Sequence, residues 1–117
     1  MSTSNHRRPT MKEIKAYIRQ SMTDAVVDAL EAMPGIPGVA VTPTYGFGHV
    51  VDDGQPARVE MTRLEIEVPD AIADSVVDCV CEHARTGAGH VGDGRIYVTE
   101  LARTVRIADG AEGEAAF

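Results

Sequence analysis

An α+β fold of the ferredoxin-like type, β-α-β-β-α-β with one antiparallel sheet carrying two helices on one face, is what this sequence predicts. Three observations lead there. Apolar residues alternate at period two in the first of four short strand-like segments, are mostly one-sided in the third, and recur at helical period in two other segments. Those segments follow one another as strand, helix, strand, strand, helix, strand. At 117 residues the chain holds one domain and has no room for two.

Residues 1–10 are polar and basic and read as a flexible tail, with the folded domain spanning 11–117. From Met11, Ile14, Ala16 and Ile18 alternate with Glu13, Lys15, Tyr17 and Arg19, the pattern of a half-buried strand. Thr23 and Asp24 supply helix-start chemistry, and Ala25, Val26, Ala29, Leu30 and Met33 follow at helical spacing. Pro34-Gly35-Ile36-Pro37-Gly38 ends that helix. A second strand, Val39 to Tyr45, runs into Gly46-Phe47-Gly48, and His49 to Glu60 reads as a polar, turn-rich loop around Asp52-Asp53-Gly54-Gln55-Pro56. The third strand is Met61 to Val68, with Met61, Leu64, Ile66 and Val68 mostly on one side. Pro69-Asp70 opens a second helix to about Ala84, with Ala73, Val76, Val77, Val80 and Ala84 as its apolar stripe. A glycine-rich loop, Thr86 to Gly94, precedes a fourth strand, Arg95 to Thr99, and a tail carrying Val105-Arg106-Ile107.

Composition narrows the function classes. Hydrophobic residues are 44% and Trp is absent, so the core must come from Val, Ile, Leu, Ala and Met. A domain this small buries roughly two-thirds of its unfolded surface and gains from association, and the uncovered sheet face favours a homo-oligomer. The net charge of −7 argues against nucleic acid, whose phosphates need a broad basic face. It leaves open a small anion held by a few Arg side chains and backbone N–H groups. Cys79 and Cys81 stand too close on one helix to pair, the N-terminus has no signal-like apolar stretch, and no segment is long enough to span a membrane. A cytoplasmic protein with no membrane insertion is expected.

Gly87-Ala88-Gly89-His90-Val91-Gly92 formally matches G-x-G-x-x-G, but a dinucleotide turn needs a strand before it and a helix after it. Here that order is reversed. A P-loop needs Lys-Ser/Thr where Asp93-Gly94 stands. What survives is that Gly87, Gly89, Gly92 and Gly94 permit positive φ and leave N–H groups to converge on an anion, with Arg95 adjacent. A plain connector without a ligand accounts for the same spacing.

Over residues 11–117 the sequence resembles the PII signal-transduction (nitrogen regulatory protein P-II) superfamily. The anchors are Met11-Lys12-Glu13-Ile14, Gly46-Phe47-Gly48, Val68-Pro69-Asp70, and Thr86-Gly87 with Gly92-Asp93-Gly94-Arg95-Ile96-Tyr97-Val98. Val105-Arg106-Ile107 and the ending Gly113 to Phe117 complete them. The resemblance implies a homotrimer that binds adenine nucleotides in clefts between subunits. The T-loop (about 46–60) and B-loop (about 85–95) of one subunit would face the C-loop (about 101–117) of its neighbour. It implies Gly38, Gly46, Phe47, Gly48, His49, Gly87, Gly92, Asp93, Gly94, Arg95 and Arg106 as nucleotide-binding residues. It also implies regulation of a transporter or enzyme through the T-loop; the residues themselves show no Ser-His-Asp order, metal-hydrolase motif or poised Cys-His pair, so no catalysis is expected.

The departures from the family pattern bear on the ligand. Where the family has Arg-Gln after Gly-Phe-Gly, this chain has His49-Val50, and Met61 replaces the Lys at the far base of the T-loop. Neither Val50 nor Met61 can ligate a metal through oxygen or pair with a dicarboxylate, so 2-oxoglutarate sensing is not expected. The T-loop is shortened and lacks Tyr, which excludes the usual uridylylation. Ala40 replaces a binding Thr, Ala108 replaces a second phosphate-binding Arg, and a lengthened B-loop adds His90. Weakened triphosphate binding follows, with ADP or AMP preferred over ATP. The opening of the first strand is similar to a divergent PII-like branch associated with transporters other than ammonium channels.

His49 and His90 flank the cleft as candidate pH-sensing or metal-ligating side chains, against a plain solvated role. A metal- or small-anion-responsive trimer with a degenerate nucleotide site is therefore the alternative function, and slow nucleotide hydrolysis a third. Cys79 and His83 share a helix face whereas Cys81 points elsewhere, so packing rather than metal binding is expected for the cysteines. Glu65 is expected to pair with Arg95.

Overall fold

The computed structural model describes residues 11–52 and 55–117, and the side chains of all of these except 47–58. The expected tail, 1–10, and Asp53 of the expected loop tip lie outside the described residues. The elements are β1 (Met11–Arg19), α1 (Thr23–Glu31), β2 (Ala40–Asp52), β3 (Gln55–Pro69), α2 (Asp70–Ala84) and β4 (Gly94–Leu101). They form a four-stranded antiparallel sheet in the order β2-β3-β1-β4 with two helices, the ferredoxin-like arrangement.

The alternation in β1 and β3 sends two sets of side chains to opposite faces. Ile14, Ala16, Ile18, Leu64, Ile66 and Val68 are buried beneath the helices, where they meet Val26 and Leu30 of α1 and Ala73, Val76, Val80 and Ala84 of α2. Burial of each large aliphatic side chain is worth about 1.5–3 kcal/mol, so this layer carries most of the domain's stability. α2 runs over the residues its periodicity indicates, and Val77, expected in its stripe, is half-buried at the edge. Of the α1 stripe, Ala25 is exposed and Ala29 only half-buried, and Met33, also half-buried, lies beyond the helix, which stops at Glu31. Thr23 is not its cap. Its hydroxyl lies 2.8 Å from the Gln20 carbonyl oxygen and 2.7 Å from the hydroxyl of Thr62, the one buried polar residue among those described.

The segment His49–Glu60 departs from the expected loop. β2 continues to Asp52 and β3 begins at Gln55, with Val51 opposite Pro56 and Asp52 opposite Gln55. A register shift between Phe47 and Val51 places two extra residues on the β2 side, a bulge that preserves pairing beyond it. The polar cluster conceals this continuation because a ladder at a hairpin tip depends on backbone pairing, not on an apolar face. Asp53-Gly54, a frequent two-residue hairpin connection, was the available signal.

The face of the sheet turned away from the helices is charged. Register sets Arg63, Tyr17 and Arg95 in one row, Glu65, Lys15 and Tyr97 in the next, and Glu67, Glu13 and Thr99 in a third. The Tyr17 and Tyr97 rings meet edge to face, their centroids 6.1 Å apart. Glu65 Oε1 lies 3.7 Å from Arg63 Nε. Arg95 is two strands away on β4, so the expected Glu65–Arg95 pair does not form within one chain: the register gives Glu65 a different cation.

Candidate functional site

The glycine-rich loop is built around one carboxylate. Asp93 Oδ1 accepts from the Thr86 hydroxyl at 2.5 Å and from Arg19 Nε at 3.0 Å. Its Oδ2 accepts from the backbone N–H of Thr86 at 3.0 Å and of His90 at 2.9 Å. These bonds, led by the Thr86 hydroxyl, hold the Asp93 carboxyl well below the usual carboxylate range. Asp93 thus organises the loop from inside, and its oxygens are committed before any ligand arrives. Arg19, at the end of β1, was missed as a site residue because its partner is 74 residues distant in sequence.

His90 completes the turn. Its Nδ1 accepts from the Gly92 N–H at 2.9 Å and lies 3.2 Å from Arg19 Nη2. That nitrogen must carry a lone pair, so the proton of the neutral ring sits on Nε2. Gly92 does not adopt positive φ, contrary to expectation. A Cβ there would lie 2.7 Å from Arg19 Nη2, so a larger residue would push the end of the Arg19 side chain off its place beside His90 and Asp93. Gly94 has φ of +113°, and a Cβ would collide with the Tyr17 carbonyl oxygen, so the loop can return to the sheet only through glycine. Several of the N–H groups expected to cradle an anion are therefore used internally: that of Gly89 donates to Thr86 O, that of Gly92 to His90, and that of Asp93 to His90 O. Arg95 is exposed and, among the described residues, engaged in no ion pair. It borders a groove of about 450 Å³ whose walls include Tyr17, Val80, Ala84, His90 and Ile96.

The C-terminal loop lies at the other end of the sheet. β4 leaves the glycine-rich loop at Gly94, opposite Ile18, and reaches Leu101, opposite Met11, a run of roughly 23 Å at about 3.3 Å per residue. Beyond it the chain folds back, with Val105 bridging to Glu112 and Gly113 N–H donating to Thr104 O. Glu114 and Phe117 settle beside Met11, Gly35, Pro37 and Pro69. Arg106 is held by Asp109 through two bonds, Nε to Oδ1 at 3.0 Å and Nη2 to Oδ2 at 2.7 Å. Gly38 lines a cavity of about 150 Å³ with Ala40, Glu65, Glu67 and Phe117.

The expected residues thus fall into two groups. Gly87, Gly92, Asp93, Gly94 and Arg95 share one end of the sheet with the base of the β2–β3 hairpin, where Gly46 pairs with Val59 and Met61 with Arg19. Gly38 and Arg106 belong toward the opposite end. The side chains of Phe47 and His49 lie outside the described residues, as does Gly48 apart from its backbone in β2. Among the described residues no three His, Cys, Asp or Glu side chains gather as a metal would require. Cys79 packs against the core, which pushes its thiol pKa up, and His83 Nδ1 donates to the Cys79 carbonyl oxygen at 2.8 Å.

The sequence profile described as nitrogen regulatory protein P-II matches residues 11–111. Nitrogen regulatory protein P-II 1 of Escherichia coli (strain K12) is 39% identical over 114 residues, an alignment covering 91% of this chain and 99% of that protein. The nitrogen regulatory protein P-II of Haemophilus influenzae is 33% identical over 112 residues, covering 89% of this chain and 97% of that one. Among solved structures, Arabidopsis thaliana PII bound to citrate superimposes with a TM-score of 0.75 at 29% identity, covering 92% of this chain and 89% of that one.

Proposed function

Since this chain belongs to the nitrogen regulatory protein P-II family, we propose that it is a signal-transduction protein that binds an adenine nucleotide between subunits of a homotrimer and regulates a partner transporter or enzyme. The observation that carries this is the separation of two arginine-bearing loops. Arg95 with the glycine-rich loop and Arg106 with the C-terminal loop occupy opposite ends of one sheet. A copy placed head to tail against the next brings one end of each to its neighbour, and a rotation that closes makes a ring with one shared cleft per subunit. Exposed Tyr97, Val105 and Ile107 give such contacts an apolar component.

In that cleft Arg95 from one copy and Arg106 from the next would hold phosphate oxygens. Gly46 and Gly48 would let the hairpin base approach the ligand. The β2–β3 hairpin is the output element: a nucleotide moves it only to the extent that it binds one hairpin position better than another. Val50 and Met61 offer no oxygen or charge for a dicarboxylate at the hairpin base, so nucleotide identity alone is the signal. The role is regulatory rather than enzymatic, and the setting cytoplasmic. Among the described residues no helix is long and apolar enough to cross a membrane.

Calorimetric titration with ADP, ATP and AMP tests this. One micromolar-range site per subunit, with ADP or AMP ahead of ATP, is expected, alongside a trimeric mass in solution. Absence of binding to all three would abandon the nucleotide. The citrate held by the Arabidopsis relative then makes a small-anion-responsive trimer the second reading, checked by titrating citrate itself.

A further inference from the structure

We infer that Asp109 is an internal competitor for the nucleotide's phosphates, a carboxylate that occupies the guanidinium fork of Arg106 until a ligand displaces it. This rests on the nucleotide reading above and adds a control that the two arginines do not share. The fork is filled as a phosphate would fill it, by two oxygens on Nε and Nη2 at 3.0 and 2.7 Å. The turn holds both partners in place. Arg106 N–H donates to Ala111 O and Gly110 N–H to Arg106 O, each at 2.8 Å, while Ala111 N–H donates to Asp109 Oδ1 at 3.1 Å.

Exposure makes the contact exchangeable. The Arg106 and Asp109 side chains are 43% and 53% accessible, so an anion can reach the pair, and an ion pair in such a setting is held weakly. A phosphate offers more charge and more acceptor oxygens than one carboxylate. Arg95, in contrast, has no carboxylate on it among the described residues. Binding at the Arg106 half is then a substitution, and the observed affinity falls by the fraction of molecules in which the fork is open. Asp109 in effect sets the nucleotide concentration at which the protein responds.

The experiment is ADP titration of the full chain in four forms: unaltered, Asp109→Asn, Arg106→Ala and the double substitution. Asn retains an oxygen for the Ala111 N–H and loses the charge, and Asp109→Ser, compared by thermal melting, guards against a folding defect. Tighter ADP binding in Asp109→Asn, by about threefold or more, is expected, with no such gain when Arg106 is absent. A merely structural Asp109 predicts the opposite sign. Unchanged or weaker binding in Asp109→Asn, with the unaltered chain binding normally, overturns the competition and leaves the nucleotide site standing. No ADP binding by the unaltered chain or by Asp109→Asn overturns both.

Discussion

Two Arg–Asp pairs, one at each end of the sheet, use the same chemistry under different conditions. At the glycine-rich loop, Arg19 meets an Asp93 whose side chain is 15% accessible and which takes further bonds from the Thr86 hydroxyl and from two backbone N–H groups. At the C-terminal loop, Arg106 meets an Asp109 that is 53% accessible and has one backbone donor besides. The difference teaches that a short ion pair is not by itself a measure of function. Surrounded by donors and shielded, the carboxylate braces a loop. Exposed and nearly alone, it is a contact that a stronger anion can replace.

Removing Asp93 should have the largest effect. Asp93→Ala leaves the Thr86 hydroxyl, two N–H groups and Arg19 without their acceptor, so the loop loses its frame. A marked drop in melting temperature and faster amide exchange across 86–94 are expected, together with loss of nucleotide binding. A variant that melts like the original would erase the distinction between the two ends. Next in size is Arg106→Ala, expected to weaken ADP binding by about tenfold or more while barely moving the melting temperature, since a bond to a charged group is worth about 1.5–3 kcal/mol. Equal losses of stability and affinity would make the C-terminal pair structural after all.

Acid offers a third comparison. The Asp93 carboxyl is held below its unfolded value of about 3.9, so its stabilising contribution is complete above that pH and is lost as pH falls through the lower folded value. Melting temperature measured downward from pH 5 should therefore fall less steeply in Asp93→Ala than in the unaltered chain. A parallel decline would show that other carboxylates dominate.

The smallest expected effect concerns a carboxylate facing a like charge. Glu67 stands opposite Glu13, and partial burial, then Glu13 itself, raises its pKa. Here the sign reverses: the ionised form is penalised in the folded state, and the penalty is relieved as pH falls toward the raised value. Glu67→Gln should stabilise the chain at neutral pH by less than about 1 kcal/mol, measured by denaturant unfolding. Destabilisation would place a cation or a neighbouring copy at that position.

Much of the fold was legible locally. α2 appears over the residues its 3.6-residue stripe marks, and β1 and β3 bury Ile14, Ala16, Ile18, Leu64, Ile66 and Val68, because both periods are written in neighbouring side chains. Met61, expected with the β3 set, is half-buried, and Thr62 takes the buried place. The extended hairpin was not legible in the same way, since Gln55 to Glu60 pair through backbone groups that composition does not report. The candidate site was legible as a set of residue types, of which the structure places Gly94 in the glycine-rich loop and Arg106 in the C-terminal loop. Its internal wiring was not: Asp93 turned out to be a brace, and His90 an acceptor for Gly92.

The sequence by itself determined the order of elements, the buried stripes and the family to which the chain belongs, because these depend on residue identity at short range. Only the tertiary structure decided which acceptors Arg19 and Arg106 meet and that the glycine-rich and C-terminal loops lie at opposite ends of the sheet. Arg19 reaches Asp93 across 74 residues through strand register, and β4 sets the distance between the loops. Such pairings depend on register and on the path of the chain, which no local pattern of residues encodes.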